Sequence, residues 1–276
     1  MAKATPAGGE LRFLSWNVNG LRACLGKGFL DWLAREMPDL LALQEVRARP
    51  EQLPGHVAED LAALGYTQVW HAAARPGYSG TALFSRVGGE LLAGLGGLDP
   101  ALSRWDDEGR VVAWRKDRLL LLGVYFPNGT SGEERLAYKL EFYEMFQSLC
   151  EARQAAGDSL IVCGDVNTAH KEIDLARPRE NRATSGFLPV ECAWLDRLTQ
   201  GRTQPGLVDS FRHQHPDEAG RYSWWSQRGG ARARNVGWRL DYVFITPDLL
   251  PRLRRAEILD QVTGSDHCPV ELVLAL

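Results

Sequence analysis

The sequence predicts an α/β fold in which two packed β-sheets are flanked by helices. More apolar segments read as strands than one flat sheet comfortably holds, and the helical segments fall between them without the regular βαβ rhythm of a parallel sheet. No Pro/Ser-rich linker or shift of composition interrupts residues 11–276, and the C-terminal strands are needed to complete sheets begun earlier. One domain over 11–276 is therefore expected, preceded by a frayed tail over residues 1–10.

The elements follow in order. LRFLSWNV (11–18) is apolar and aromatic and runs into Asn-Gly turn chemistry at Asn19 and Gly20, so it reads as a strand. Phe29, Leu30, Leu33 and Met37 recur at helical spacing before Pro38 ends the helix. DLLALQEV (39–46) is a short apolar run with a polar exit, a buried strand. A helix is expected near 56–64, then strands in YTQVWHAA, GTALFSRV, GRVVAWRK and RLLLLGVYF, with Lys116 and Asp117 turning the last two into a hairpin. The spacing predicts a helix over 132–156: Ser131 and Glu134 have capping-box spacing, and Leu136, Leu140, Tyr143, Phe146 and Cys150 make one apolar face. SLIVCGDVN is again a buried strand. A helix near 189–199 and strands in RYSWWS, LDYVFIT, AEILDQV and PVELVLAL complete the chain. SWNVNG and CGDVNT share a strand followed by Asx chemistry, a hint of pseudo-symmetric halves.

With 45% hydrophobic and 24% charged residues the chain has an ordinary globular composition, which excludes collagenous, coiled-coil and disordered classes. No apolar run is long enough to span a membrane, and the first residues lack the apolar stretch of a secretory signal, so an intracellular protein is expected. Cys24, Cys150, Cys163, Cys192 and Cys268 form no C-x-x-C pair and fit a reducing compartment. A net charge of −3 argues against coating nucleic acid by bulk charge. From Arg221 to Arg239, however, five arginines (221, 228, 232, 234 and 239) occur with no acidic residue.

Chemistry collects where strands end: Asn17 and Asn19, Glu45, Asp165 and Asn167, Asp241, then Asp266 and His267. Asn and Asp also end strands simply by turning the backbone. Strand exits are nonetheless where a rigid scaffold aims side chains into a cleft, and so many exits of one chemical type point to a site. P-loop, G-x-S-x-G and H-E-x-x-H patterns do not occur, and Ser79 and Cys268 lack the context of a nucleophile. What remains is carboxylate and amide chemistry with one or two histidines, whose oxygen donors suit Mg²⁺ or Mn²⁺.

WNVNGLR (16–22), LQE (43–45), GYSG (77–80), YFPNG (125–129), GDVNTAHKEID (164–174), NVGWRLDY (235–242) and GSDHCP (264–269) strongly resemble, in order, the motifs of the exonuclease III family of abasic-site endonucleases. The broader superfamily, with deoxyribonuclease I and inositol polyphosphate phosphatases, shares the QE, GDxN and SDH elements, and NVGWRLDY narrows the resemblance. It implies a four-layered sandwich of two mixed sheets with the active site at one edge. It also implies Glu45 as main metal ligand, Asn19 nearby where many relatives have Asp, and Asp266 as a further ligand or orienter.

Asp165 and Asn167 resemble the pair that generates and orients the attacking water, and Asp241 and His267 the carboxylate and imidazole beside the phosphate. Tyr125 and Asn17 are implied to help fix that phosphate; Asp165, His267 and Tyr125 all stay open as the group that makes the nucleophile. Trp224, Trp238 and Leu240 resemble the wall of a pocket for an extruded baseless sugar. Arg22, Tyr78, Asn181 and the arginines 228, 232 and 234 are expected on the DNA. Thr130 and Ser131 stand where some relatives carry a long basic wedge.

The implied activity is Mg²⁺-dependent (or Mn²⁺-dependent) cleavage of double-stranded DNA 5′ to an abasic site, leaving a 3′ hydroxyl, together with 3′-5′ exonuclease and removal of blocked 3′ ends. A monomer acting without membranes, in cytoplasm or nucleoid if bacterial, is expected. A superfamily phosphoesterase for a non-DNA substrate and a non-catalytic DNA-binding module are the alternatives.

Overall fold

A computed structural model describes residues 9–276. The expected tail therefore lies outside the described residues except at its end, where Glu10 already pairs with Ala275 as part of a strand. Strands form at β1 (Glu10–Asn17), β2 (Leu40–Gln44), β3 (Thr67–His71), β4 (Thr81–Ser85), β5 (Glu90–Ala93), β6 (Val111–Lys116), β7 (Leu119–Tyr125), β8 (Ser159–Asp165), β9 (Val208–Asp209), β10 (Trp224–Trp225), β11 (Gly237–Trp238), β12 (Asp241–Ile245), β13 (Leu253–Ile258) and β14 (Val270–Ala275).

They make two six-stranded sheets, ordered β13-β14-β1-β2-β4-β3 and β5-β6-β7-β8-β12-β9, and a two-stranded ribbon of β10 and β11. Each large sheet is mixed: β1 and β2 are parallel, β7 and β8 are parallel, and the other neighbours are antiparallel. The two pairing patterns mirror one another, with β1 of SWNVNG and β8 of CGDVNT in corresponding places.

The inner strands are buried on both faces because both faces are covered, while the edge strands β3, β5 and β13 are partly exposed. Phe13, Leu40 and Leu272 from one sheet meet Trp114, Ile161 and Ile245 from the other in the central core. On the outer face of the first sheet, Trp16, Leu41 and Phe84 pack on Phe29 and Leu33 of the helix Phe29–Glu36 and on Leu61 of the helix His56–Ala63. On the outer face of the second, Leu122, Val162 and Phe244 pack on Phe142 and Phe146 of the helix Glu133–Ala155 and on Trp194 of the helix Pro189–Gln200. Helix, sheet, sheet and helix are the four layers. None of the helices among the described residues is long and apolar enough to cross a membrane, and all five cysteines are free thiols.

Local details depart from the sequence reading for identifiable reasons. Lys116 pairs with Leu119, so the hairpin turn is Asp117–Arg118, one residue later than expected, with Asp117 left-handed at φ 54°. Gly132, at φ 109°, takes the cap position of the long helix, and no side chain caps it, so Ser131 is not a capping residue. That helix buries Lys139, Phe142, Tyr143, Phe146 and Cys150, while Leu136 and Leu140 are only half-buried. Its core-facing stripe is rotated toward Phe142 and Leu149, which pack in the outer core. RYSWWS contributes just the two-residue β10, and the strand expected over 256–262 runs instead from Leu253 to Ile258.

The topology gathers the strand exits. β14 runs antiparallel to β1, with Ser15 opposite Val270, and β12 runs antiparallel to β8, with Asp241 opposite Asp165. The ends of β1, β2, β7 and β8 and the residues entering β12 and β14 therefore meet at one edge of the sandwich.

Candidate active site

Backbone geometry turns the exits inward. Asn19, Glu45 and Asn167 are left-handed at φ 45°, 54° and 55°, a conformation that costs an ordinary residue about 1–2 kcal/mol and recurs at functional sites. In GDVN the glycine is required by contact: a Cβ on Gly164 would sit 1.8 Å from the Val124 carbonyl oxygen. These exits line a cavity of about 310 Å³ bounded by Asn19, Glu45, Tyr125, Asp165, Asn167, Trp224, Trp238, Leu240, Asp266 and His267. Asn17 and Asp241 lie buried behind it.

At its floor is a proton-sharing cluster. His267 Nδ1 lies 2.8 Å from Asp241 Oδ2, and His267 Nε2 lies 3.9 Å from Asp165 Oδ2. Asp241 Oδ2 also accepts from Ser223 Oγ at 2.7 Å, which holds the carboxylate against the ring. Asp165 accepts from Asn17 Nδ2 at 2.8 Å and from the Asn167 backbone N–H at 2.8 Å. Asn167 is itself held by Asn128 Nδ2, 3.0 Å from its Oδ1.

Burial raises the Asp165 pKa to about 7, with His267 opposing and Asp241 adding to the rise. For His267 burial works against the imidazolium, but the charges of Asp241 and Asp165 prevail and raise it to about 10. Burial, reinforced by Glu45 and Asp165, drives the Tyr125 pKa well above its ordinary value, so it stays a neutral hydroxyl. Arg110 fixes Tyr125 from behind, donating to its carbonyl at 2.8 Å with the guanidinium 4.9 Å from the ring centre.

Cation-binding chemistry falls into two adjoining groups. Asp165, Asp241 and His267 have ligand atoms within 4.8 Å of one another. Asp165 already accepts from Asn17 and Asn167 and Asp241 Oδ2 is bonded to His267 and Ser223, however, and an imidazolium has no lone pair to give a cation. Glu45, Asp266 and Asn19 line the same cavity and supply hard oxygens, the donor set that fits Mg²⁺ or Mn²⁺. Glu45 accepts from Asn17 Nδ2 at 3.1 Å and is ion-paired with Arg47. Asp266 accepts from Asn19 Nδ2 at 2.8 Å and Trp224 Nε1 at 3.2 Å. Burial opposes the charge on Asp266, but His267 and these two hydrogen bonds keep its pKa below the ordinary value.

The opposite wall is apolar. Pairing of β10 with β11 sets Trp224 opposite Trp238, their rings edge to face at 6.4 Å and 80°, with Leu240 beside them. Gly186 closes that wall: a Cβ there would meet the Trp238 ring at 3.3 Å.

Other expected contacts lie outside the cavity lining. Arg22 is exposed on the short helix Leu21–Leu25, and Asn181 donates to the Arg177 carbonyl of its own helix at 2.8 Å. Tyr78 joins Glu108, Arg110 and Arg135 in a polar cluster. The arginine stretch divides. Arg228 and Arg234 are exposed, but Arg232 donates to the carbonyls of Ser265, Asp260 and Val262 at 3.1, 2.8 and 2.6 Å and covers the Trp225 ring. Three of its five N–H donors are thus held within the fold, which gives Arg232 a structural role beside the one expected on DNA. Arg239 is likewise buried between Asp174 and Asp209.

Sequence reasoning missed Arg47, Asn128, Ser185, Gly186 and Ser223. Asn128 stood within YFPNG and Ser223 within RYSWWS, but neither position carried a signal of its own.

Fold and site together define an enzyme that hydrolyses phosphoesters. The chain belongs to the Endonuclease/Exonuclease/phosphatase family, whose pattern matches residues 14–267. Within it the chain stands with the exodeoxyribonucleases and AP endonucleases. A Bacillus subtilis (strain 168) exodeoxyribonuclease is 40% identical over 267 residues, covering 96% of this chain and 99% of its own. A Dictyostelium discoideum DNA-(apurinic or apyrimidinic site) endonuclease is 34% identical over 271 residues, covering 97% and 71%. Among solved structures, the Neisseria 3′ phosphatase NExo, bound to product DNA hairpin, superposes with a TM-score of 0.83 at 27% identity, covering 96% of this chain and 100% of that one.

Proposed function

We propose that this nuclease cleaves double-stranded DNA on the 5′ side of abasic sites to leave a 3′ hydroxyl, and that it also removes nucleotides and blocking groups from 3′ ends. The observation that carries this reading is the apolar wall of Trp224, Trp238 and Leu240 in the same cavity as Asp165 and His267. A sugar without a base is small and apolar enough for such a wall, and extruding it costs less than flipping a stacked, paired nucleotide. An inositol polyphosphate would leave that wall without a partner. Such an enzyme acts as a monomer where the DNA is, in the cytoplasm or nucleoid if the source is bacterial and otherwise in the compartment that holds the DNA.

The residues divide the work of attack on a phosphodiester, which resists because its anionic oxygens repel a nucleophile and its leaving group is poor. Asp165, poised near neutrality, takes the proton from water while Asn167, fixed by Asn128 and Asp165, holds that water in line. His267, kept protonated by Asp241, donates from Nε2 to a non-bridging oxygen. Tyr125 adds a neutral hydroxyl donor, and Asn17 aligns Glu45 and Asp165. Of the three groups the sequence left open, only Asp165 combines reach with a usable pKa as base. Mg²⁺, held by Glu45 with Asp266 and Asn19, would supply positive charge to offset that on the phosphate and the leaving 3′ oxygen.

The test is a labelled duplex with one abasic analogue, with Mg²⁺ or EDTA, resolved on a sequencing gel. Incision one bond 5′ to the lesion, abolished by EDTA, is expected. Turnover of a small phosphoester with none on DNA would overturn the reading.

A further inference from the structure

Behind the cavity, out of contact with solvent, lies an ion pair the proposed chemistry does not use. Lys139 and Glu191 are both 0% exposed and 2.6 Å apart. The three N–H donors of Lys139 have three acceptors: Glu191 Oε1, the Asn167 carbonyl at 2.8 Å and Thr168 Oγ1 at 2.9 Å. Glu191 is equally committed. Its Oε1 also accepts from Ser185 Oγ at 2.8 Å, and its Oε2 accepts the backbone N–H of Gly186 at 2.6 Å and of Leu188 at 3.0 Å.

Stability alone does not call for this arrangement, since apolar residues of similar volume are often as good as a buried ion pair or better. Geometry gives it a use. One end grips the backbone of Asn167, whose N–H and amide both bind Asp165. The other grips Ser185 and Gly186, and Gly186 lies against both Asn167 and Trp238. The segment bearing the water-orienting amide and the loop that packs against the apolar wall at Trp238 are thus fastened to one charged hub.

We propose that Lys139 and Glu191 form a positioning pair that fixes the spacing between Asn167 and the wall at Trp238, so that attack geometry and sugar placement are set together. The proposal rests on the reading above for the substrate, though the spacing itself would matter for any phosphoester held in this cavity. Loosening the pair should displace Asn167 by a fraction of an ångström to an ångström, and a misplacement of 1 Å can cost about 100-fold in rate.

The test uses the full chain with Mg²⁺ and the abasic-analogue duplex. Lys139→Met should lower the single-turnover rate by about 10- to 100-fold while the Kd for uncleaved duplex, measured in EDTA, stays unchanged. Lys139→Arg should recover part of the rate. Leu149→Ala, on the same helix and in the outer core, is the control for lost stability. If Lys139→Met keeps its rate, or if Leu149→Ala with an equal fall in Tm loses as much rate, the pair is only structural and the proposal is overturned. Should Lys139→Met fail to fold, Ser185→Ala removes a single bond to Glu191. A several-fold slower rate at constant Kd then supports the proposal, and an unchanged rate overturns it. If the wild type turns over a different phosphoester and not the abasic duplex, the substrate reading fails, and the same comparison on that phosphoester still decides the role of the pair.

Discussion

Asp241→Asn isolates the charge that keeps His267 protonated. The amide oxygen can retain both hydrogen bonds, to His267 Nδ1 and Ser223 Oγ, so the ring keeps its place and only the charge is removed. With charge centres about 4 Å apart, that charge is worth about 4 kcal/mol at an effective dielectric of 20. At 1.36 kcal/mol per pKa unit this is about 3 units, taking His267 from about 10 toward neutrality. In the proposed mechanism Asp165 must be deprotonated, so activity rises with pH through about 7, and His267 must be protonated, so activity falls through about 10. Removing the Asp241 charge leaves a base still needed and an acid that deprotonates earlier, so the alkaline limb moves down in pH. At pH 8.5 the variant should be slower by roughly 30-fold, the ratio expected for an acid of pKa near 7. The assay is kcat/KM on the abasic duplex from pH 5.5 to 10.5 at saturating Mg²⁺, with near-UV circular dichroism to show the fold intact. An alkaline limb at the same pH in both proteins would refute the assignment of His267 as the charged donor.

Three further outcomes are expected. Glu45→Gln should leave Tm close to wild type while raising the Mg²⁺ concentration needed for half-maximal rate and slowing turnover by about 100-fold or more, checked by metal titration of the rate. Arg228→Ala with Arg234→Ala should weaken binding to damaged and intact duplex alike and flatten the dependence of log Kd on log salt by up to ~0.9 for each phosphate no longer neutralised, whereas Arg232→Ala should lower Tm. Trp238→Ala should cut incision at abasic sites by more than at nucleotides carrying a small damaged base, read as the ratio of kcat/KM on matched duplexes; an equal reduction on both would make Trp238 a packing residue.

Strand and helix types were legible because burial on both faces makes runs such as LLALQ and SLIVCGD continuously apolar, and because polar residues at their ends have no packing reason to recur. The same strand exits announced Glu45, Asp165, Asn167 and His267. The local sequence could not say where a charged side chain finds its partner. Arg228, Arg232 and Arg234 look alike in RGGARAR, yet Arg232 meets three carbonyls brought from residues 260–265, while the other two remain exposed. Lys139 carries no local sign of burial, and its partner Glu191 lies 52 residues further along the chain. Arg47 met Glu45 because a left-handed turn at both residues folds the loop back on itself. Hydrophobic period and turn chemistry act over a few residues, so the sequence by itself determined the layers, the strand exits and the type of chemistry they carry. Electrostatic and hydrogen-bond partners are chosen across the fold, so the tertiary structure alone decided which charges face the cavity or the solvent and which hold the scaffold.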